Sequence, residues 1–370
     1  MRCDPLTPTL MRRLSLFRLL SIASVAALAA SACSDPTGPA LDAAGLEADL
    51  AAATSAAVAP ATVSFTTVGS EIDRTLRLLG GGSAIADLPA ALVVNPKAMV
   101  ERAELRARVS ASGGEAAAIP AAALGGTFEY NPNTARYFRG TRAGAPANGV
   151  RFVLYAVDPA TERIVTPLVE TGYADLTRTV TQQVATARVE VWGGGANLIK
   201  ALDYSVTVSG AIVSPQILVA GFARNGTDSL AFSLTSQFSL ASQTIAIDWR
   251  AAVPARGLSS RVQQTIVGGE SASVTINGLL TSRNGRVGIA GTIAQVTGGT
   301  LAVTVNGRSF ATIVLDSATD ETPTVLNSEG QPLTRAQENL LESILEWFRD
   351  AFDLFENLMD PVEHLLDIAF

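Results

Sequence analysis

An alternating stretch in the second half of the chain decides the fold: Leu230-Ala231-Phe232-Ser233-Leu234. Every second side chain is large and apolar, and the residues between them are small or polar. Side chains of an extended strand point alternately to opposite faces, so this pattern predicts a strand with one buried and one wettable face. The strand is expected to cover residues 229–240.

The same period of two recurs on both sides of this stretch. Asn-Gly pairs at 225–226, 284–285 and 306–307 supply tight turns between or within the alternating runs. Close spacing with short turns favours antiparallel pairing of neighbouring strands. The predicted strands are 127–130, 135–138, 149–157, 164–169, 187–192, 202–209, 217–223, 229–240, 244–251, 262–267, 272–279, 286–294 and 301–315.

The flanks of this β domain, which is predicted to span 126–316, are less regular. Residues 33–60 are rich in alanine and are interpreted as a tether with one weak helix near 46–52, reaching up to about 90 Å when extended. Residues 61–125 are a mixed α/β lead-in. In it we expect a strand at 62–68, a helix opening at Ser70 and ending near Gly80, and a helix at 97–109. Residues 317–333 are expected to be a linker.

The chain ends in a strongly amphipathic segment, 334–370. Thr334-Arg335-Ala336-Gln337 is a capping box that opens a helix, and acidic side chains fill the face opposite its apolar stripe. An apolar stripe of this size must be covered, so we expect it to pack on the sheet; a lid over a lipid-sized cavity and a partner-docking face are the alternatives. Its candidate core or ligand residues are Leu341, Ile344, Leu345, Phe348, Phe352, Phe355 and Met359.

Together these patterns predict a mainly β fold, a curved antiparallel meander or half-barrel with a long C-terminal amphipathic helix packed on it. In architecture this resembles the lipoprotein carriers and lipid-binding half-barrels of the bacterial envelope. The resemblance is one of shape and does not by itself give a function.

The N-terminus carries an export signal over residues 1–32, with Met11 as the predicted start. An uncharged apolar run follows Arg12, Arg13 and Arg18, and is too short for a membrane-spanning helix. The run ends in Ala30-Ser31-Ala32-Cys33, which resembles the lipobox of bacterial lipoprotein precursors, although alanine replaces the usual leucine.

The lipobox resemblance implies cleavage before Cys33 and acylation of its thiol, giving an exported protein with a lipid anchor in the cell envelope. Ser34 in the following position implies sorting to the outer membrane. The same residues also form an A-x-A site for ordinary signal peptidase, so both modes of cleavage stay open. Cys33 is the only cysteine after the signal, so the exported chain has no internal disulfide.

Composition excludes several classes of function. The net charge of -7 and the absence of a basic stripe argue against a nucleic-acid partner. The only histidine is His364, which excludes histidine-based triads and Cys/His zinc clusters within the sheet. Asp316-Ser317-Ala318 resembles an aspartic-protease arm without its glycine, and no second copy occurs. Asp316, Asp320 and Glu321 lack the spacing of an EF-hand.

Three functions are therefore weighed, without any cofactor or metal. The first is a non-enzymatic envelope lipoprotein that has a structural role or binds an envelope protein. The second is a carrier of lipid or another apolar ligand. The third, an enzyme that uses carboxylates alone, has the least support because no catalytic constellation is visible in the sequence.

Overall fold

The structure is a computed structural model. The signal, Cys33, the predicted helix at 97–109 and Phe348, Phe352, Phe355 and Met359 of the C-terminal stripe lie outside the residues it describes. The described residues are 42–80, 119, 121–158, 160–181, 184–194, 198–211, 214–239, 241–268, 272–294, 296–315 and 323–346.

The fold is mainly β, as predicted. One open sheet of 15 strands follows chain order as a meander from β6 to β17, with β3, β1 and β2 lying beyond β6 in that order. All of its pairs are antiparallel except the parallel pair β1–β3. A separate pair joins β4 and β5. The strands are β1 Gly126–Asn131, β2 Arg136–Arg139, β3 Gly149–Tyr155, β4 Val157–Asp158, β5 Arg163–Ile164, β6 Glu170–Thr181, β7 Val184–Gly193, β8 Ile199–Ala211, β9 Ser214–Asn225, β10 Asp228–Ser239, β11 Thr244–Val253, β12 Leu258–Val267, β13 Ser273–Ser282, β14 Gly285–Ala294, β15 Gly298–Val305, β16 Arg308–Leu315 and β17 Thr324–Asn327.

Most predicted strands are present, and the turns behave as expected. The single run predicted at 301–315 is divided into β15 and β16 by Asn306 and Gly307, whose φ angles of 51° and 79° suit the tight turn of a hairpin. The predicted hairpin at 127–138 is confirmed as β1 and β2.

Near the ends of the β domain, two predictions are wrong and one strand was missed. The strand expected at 164–169 is not extended beyond Ile164, since Pro167 removes a ladder donor, and the strand begins instead at Glu170. That strand, β6, was not predicted, because Arg178 interrupts its apolar face. The linker expected at 317–333 contains β17, which pairs with β16.

The strand predicted at 62–68 is also wrong, since Pro60–Thr67 is a helix, α2. Its β-branched residues favour a strand, but Pro60 opens the helix and Ala61 and Phe65, four positions apart, are both buried. The helix packs against β3, β6 and β7. Tertiary burial of one face therefore overrides the local preference.

The N-terminal helices belong to the fold. Helix α1, Ala43–Ala57, occupies part of the stretch predicted to be a tether and packs against β9 and β10. Side-chain contacts hold it at both ends: the Asn284 amide donates to Asp49 at 2.9 Å, and the Asn225 amide donates to the Ser55 carbonyl at 3.1 Å. Helix α3, Gly69–Gly80, is present where a helix was predicted from Ser70.

The C-terminal helix, α4, is described over 335–346. Its capping box is formed, because the Gln337 side chain accepts from the Thr334 N–H at 2.9 Å. Leu341 and Ile344 are buried in the main hydrophobic cluster, and Leu345 packs against it.

The inner face of the sheet, the face covered by these helices, holds the core. Register places Leu234, Trp249 and Val262 side by side across β10, β11 and β12 on this face. They share one hydrophobic cluster with Leu46 and Phe65 of the helices. Both edge strands, β2 and β17, are only four residues long, which limits pairing with another chain.

We predict that α1 is needed for stability. Ala53 is 1% exposed against the sheet, so Ala53→Arg would force a charged, bulky side chain into the core. We expect the free energy of unfolding to fall by roughly 2–3 kcal/mol, measured by urea denaturation of the whole chain. The matched control is Ala51→Arg on the exposed side of the same helix, which should change little. Equal effects from the two variants would show that α1 does not depend on this packing.

Candidate binding groove on the outer face

The outer face of the sheet, which points away from the helices, carries a groove over β10–β13 with a volume of about 380 Å³. It forms where register brings small side chains together: Ala231 of β10 pairs with Ala252 of β11, which pairs with Ser259 of β12. The lining residues are Ala231, Phe232, Ser233, Arg250, Ala251, Ala252, Ser259, Ser260, Arg261, Leu279 and Thr281.

Two arginines and one aspartate border the groove. Arg250 and Arg261 are register partners on neighbouring strands, and both point to the outer face. Each uses Nε and Nη2 to hold the two carboxylate oxygens of Asp248, with Nη2–Oδ2 distances of 2.9 Å for Arg250 and 2.7 Å for Arg261. The three residues carry a net charge of +1.

These ion pairs fix the charge state of the groove. Hydrogen bonds from Arg261, followed by those from Arg250, lower the pKa of Asp248 to about 2, although partial burial opposes the shift. The same pairing raises the pKa of Arg261 above its ordinary value. Asp248 and Arg261 are therefore ionised at neutral pH.

The groove is suited to binding and not to proton transfer. A general acid or base needs a pKa near the working pH, which Asp248 does not have. The guanidinium side chains are 57% and 45% exposed, so their remaining N–H groups can donate to a carboxylate or phosphate. The groove can thus take an anionic group beside an apolar floor.

A second set of charges lies on the outer face over β3–β8 and is internally paired. Arg151 binds Asp175 with two hydrogen bonds of 2.7 Å and lies over the Tyr173 ring at 3.7 Å. Beside this pair, Lys200 and Arg188 both bind Asp203, each with a contact of 2.9 Å. These side chains offset one another's charge, so this part of the face is less suited than the groove to an anionic ligand.

The inner face carries a cation for which the described residues supply no ion-pair partner. Arg178 of β6 lies in register with Ala187 and alternates with buried Leu176, so it shares the apolar face. Its Nε and Nη2 are buried without a hydrogen-bond partner among the described residues. Burial lowers the pKa of this guanidinium.

The groove was not predicted from the sequence. Asp248 and Arg250, two positions apart, point to the same face of a predicted strand on which few other charges occur, and this signal could have been found. The contribution of Arg261 depends on the pairing of β11 with β12, which is not visible locally. His364 and the acidic group at 316–321 lie outside the described residues.

Two searches of the described residues bear on other kinds of site. No three His, Cys, Asp or Glu side chains in this part of the chain form a group that could hold a metal ion. No single helix there has the length and hydropathy to cross a membrane. The pair Ala44–Ala57 and Pro60–Thr67 passes that test together, with a bend of 67° between its helices.

No protein-family model, curated protein or solved structure matches the chain. Its function is therefore inferred from its sequence and geometry.

We predict a pH-dependent contribution of Asp248 to stability. Because its pKa is lowered from 3.8 to about 2 on folding, the contribution is present above pH 4 and is lost as the pH falls towards 2. Asp248→Asn should cost roughly 0.5–1 kcal/mol at pH 7, since the pairs are partly exposed. Urea unfolding of both proteins between pH 7 and pH 2.5 should show the difference shrinking below pH 4. A difference that persists unchanged at pH 2.5 would contradict the assignment.

Proposed function

We propose that the protein is an exported, lipid-anchored binding protein of the outer membrane, without enzymatic activity, that docks an envelope partner in the outer-face groove. The observation that carries the proposal is the groove itself, whose arginines stay charged and whose single carboxylate has a pKa of about 2. Such a site recognises an anion and holds it without transferring protons.

The partner we propose is a protein with an acidic side chain or a chain terminus that enters the groove. The floor of small residues admits an extended segment close to the sheet, while Arg250 and Arg261 supply charge at its side. Both edge strands are short, so a partner is favoured on a face of the sheet over strand addition at an edge.

The anchor is proposed from the lipobox-like sequence that ends at Cys33. Helix α1 begins at Ala43, so eight residues, 34–41, separate Cys33 from the cap residue Asp42. Fully extended, this segment spans at most about 30 Å, which is far less than the reach expected of a tether extending to residue 60. We therefore propose that the domain lies close to the membrane.

We further propose that the sheet curls into a half-barrel around the helices. Twisted open sheets of more than about ten strands tend to curl or split, and this sheet has 15. The helices and one face of the sheet share a single hydrophobic cluster, which supports wrapping of the sheet around them.

A carrier of amphiphilic lipid is the second candidate, favoured by Arg178. Its Nε and Nη2 are buried without a hydrogen-bond partner among the described residues, which is costly, and the carboxylate or phosphate of a lipid lying on the apolar inner face would bind them. The side chains that already fill the main cluster favour the binding protein over the carrier.

We predict that the groove forms a specific contact in cells. A photo-cross-linking residue at Ser259 should give one defined adduct, and the adduct should fall roughly tenfold or more in an Arg250→Gln/Arg261→Gln background, because the anion loses both charged donors. The matched control is the same cross-linker at Gln263, which is exposed on the same strand and face. Equal adducts from both positions, or an adduct indifferent to the arginines, would contradict the proposal.

We predict a different pattern if the carrier interpretation holds. Native mass spectrometry of the protein from its own membrane would show a stoichiometric lipid adduct, lost on Arg178→Met. For a binding protein, both forms should be free of adduct, and Arg178→Met should be neutral or stabilising, since it removes a partly buried charge that the described residues leave unpaired. Arg188→Met on the paired outer face is the control, which should not alter lipid content.

A further inference from the structure

One end of the sheet carries a row of arginines. Four consecutive hairpins, β9–β10, β11–β12, β13–β14 and β15–β16, turn at this end, and each has at least one arginine in or beside its turn. We call this row the arginine rim; its members are Arg224, Arg256, Arg283, Arg286 and Arg308.

The rim is regular and open to solvent. Strands in a sheet lie about 4.8 Å apart, so successive hairpin turns recur about every 10 Å. All five side chains are exposed. Arg256 binds Asp228 at 3.6 Å and Arg283 donates to the Ala255 carbonyl at 3.3 Å. Arg286 and Arg308 form no ion pair with the residues that the structure describes.

The opposite end of the sheet has no such row. The segments that link the strands there contain neither lysine nor arginine among their described residues. The chain as a whole has a net charge of -7, so the rim is a local concentration of positive charge and does not reflect the average composition.

The N-terminal segment enters the fold in the middle of the rim. The backbone N–H of Asp42 donates to the carbonyl of Asn284 at 3.2 Å, and Asn284 lies between Arg283 and Gly285 in the β13–β14 turn. If Cys33 is anchored as proposed, residues 34–41 would hold this end of the sheet within about 30 Å of the bilayer. This step rests on the proposed anchor; the charge of the rim does not.

We propose that the arginine rim docks on anionic lipid headgroups and sets the orientation of the protein on its membrane. Guanidinium groups hold phosphate oxygens with paired hydrogen bonds, and exposed basic residues are attracted to anionic leaflets within a Debye length. A row of four turns spans about 30 Å, which lets several headgroups be bound at once. The sheet would then stand with its opposite end away from the surface.

The test is flotation of the whole chain carrying Cys33→Ser with phosphatidylcholine vesicles that contain or lack phosphatidylglycerol. The measured quantity is the ratio of binding to the two vesicle types, compared between variants that all carry the same signal segment, so that the contribution of its arginines is common to them. We expect preference for the anionic vesicles, and a loss of roughly 25-fold in Arg286→Gln/Arg308→Gln, or about fivefold for each arginine. The preference should weaken with added salt.

The matched control is Arg139→Gln/Arg188→Gln, which removes the same charge from exposed positions on β2 and β7. Urea unfolding of both double variants shows whether either has lost its fold; an unfolded rim variant is replaced by the single changes. No preference for anionic vesicles, or equal losses in rim and control variants, would overturn the proposal. Rim-dependent binding to an acidic polymer such as heparin without binding to vesicles would overturn it too.

Failure of the anchor is distinguished by a separate measurement. The unmodified chain should carry acyl chains on Cys33 that mass spectrometry detects, while Cys33→Ser should not. If the unmodified chain is not acylated yet the Cys33→Ser protein shows a rim-dependent preference for anionic vesicles, the anchor is wrong and the rim is retained. If the chain is lipidated but shows no rim-dependent preference, the rim is wrong and the anchor is retained.

Discussion

Burial of one face of a wide, open sheet is the constraint on which the rest of the structure depends. Each of the long strands presents an apolar row on the inner face, and no second sheet covers it among the described residues. Helices α1, α2 and α4 supply that cover and share one hydrophobic cluster with the sheet. The stretch before residue 60 is therefore recruited into the fold, because Leu46 and Leu50 bury more apolar area there than a free tether could.

The same constraint leaves the outer face and the strand ends available for function. Charged side chains that the core excludes lie on the outer face. Arg151 and Asp175 form a simple ion pair there, whereas Asp248 is held between two arginines. Small residues beside Asp248 open a groove that large side chains would fill. The turns at one end carry the row of arginines, so the proposed partner site and the proposed membrane-docking surface lie on different parts of one sheet.

Much of the architecture is predictable because β alternation is a local property. The strand from Asp228 to Ser239 is recognisable from its own side chains, as are the Asn306–Gly307 turn and the Thr334 capping box. Elements whose burial depends on distant partners cannot be recognised from their own side chains. Pro60–Thr67 has the composition of a strand yet is helical, and β6 is masked by Arg178 on its apolar face.

The sequence alone determined the period of the strands, the antiparallel order and the absence of histidine-based chemistry in the sheet, because each depends on residue type and short spacing. Only the tertiary structure decided which side chains meet. Strand register brings Arg261 to Asp248 across β11 and β12. Packing of α1 on the sheet brings the start of this helix to the turn at Asn284. These contacts join residues far apart in the chain, and shifting a strand by one position would reverse every face, so no local pattern encodes them.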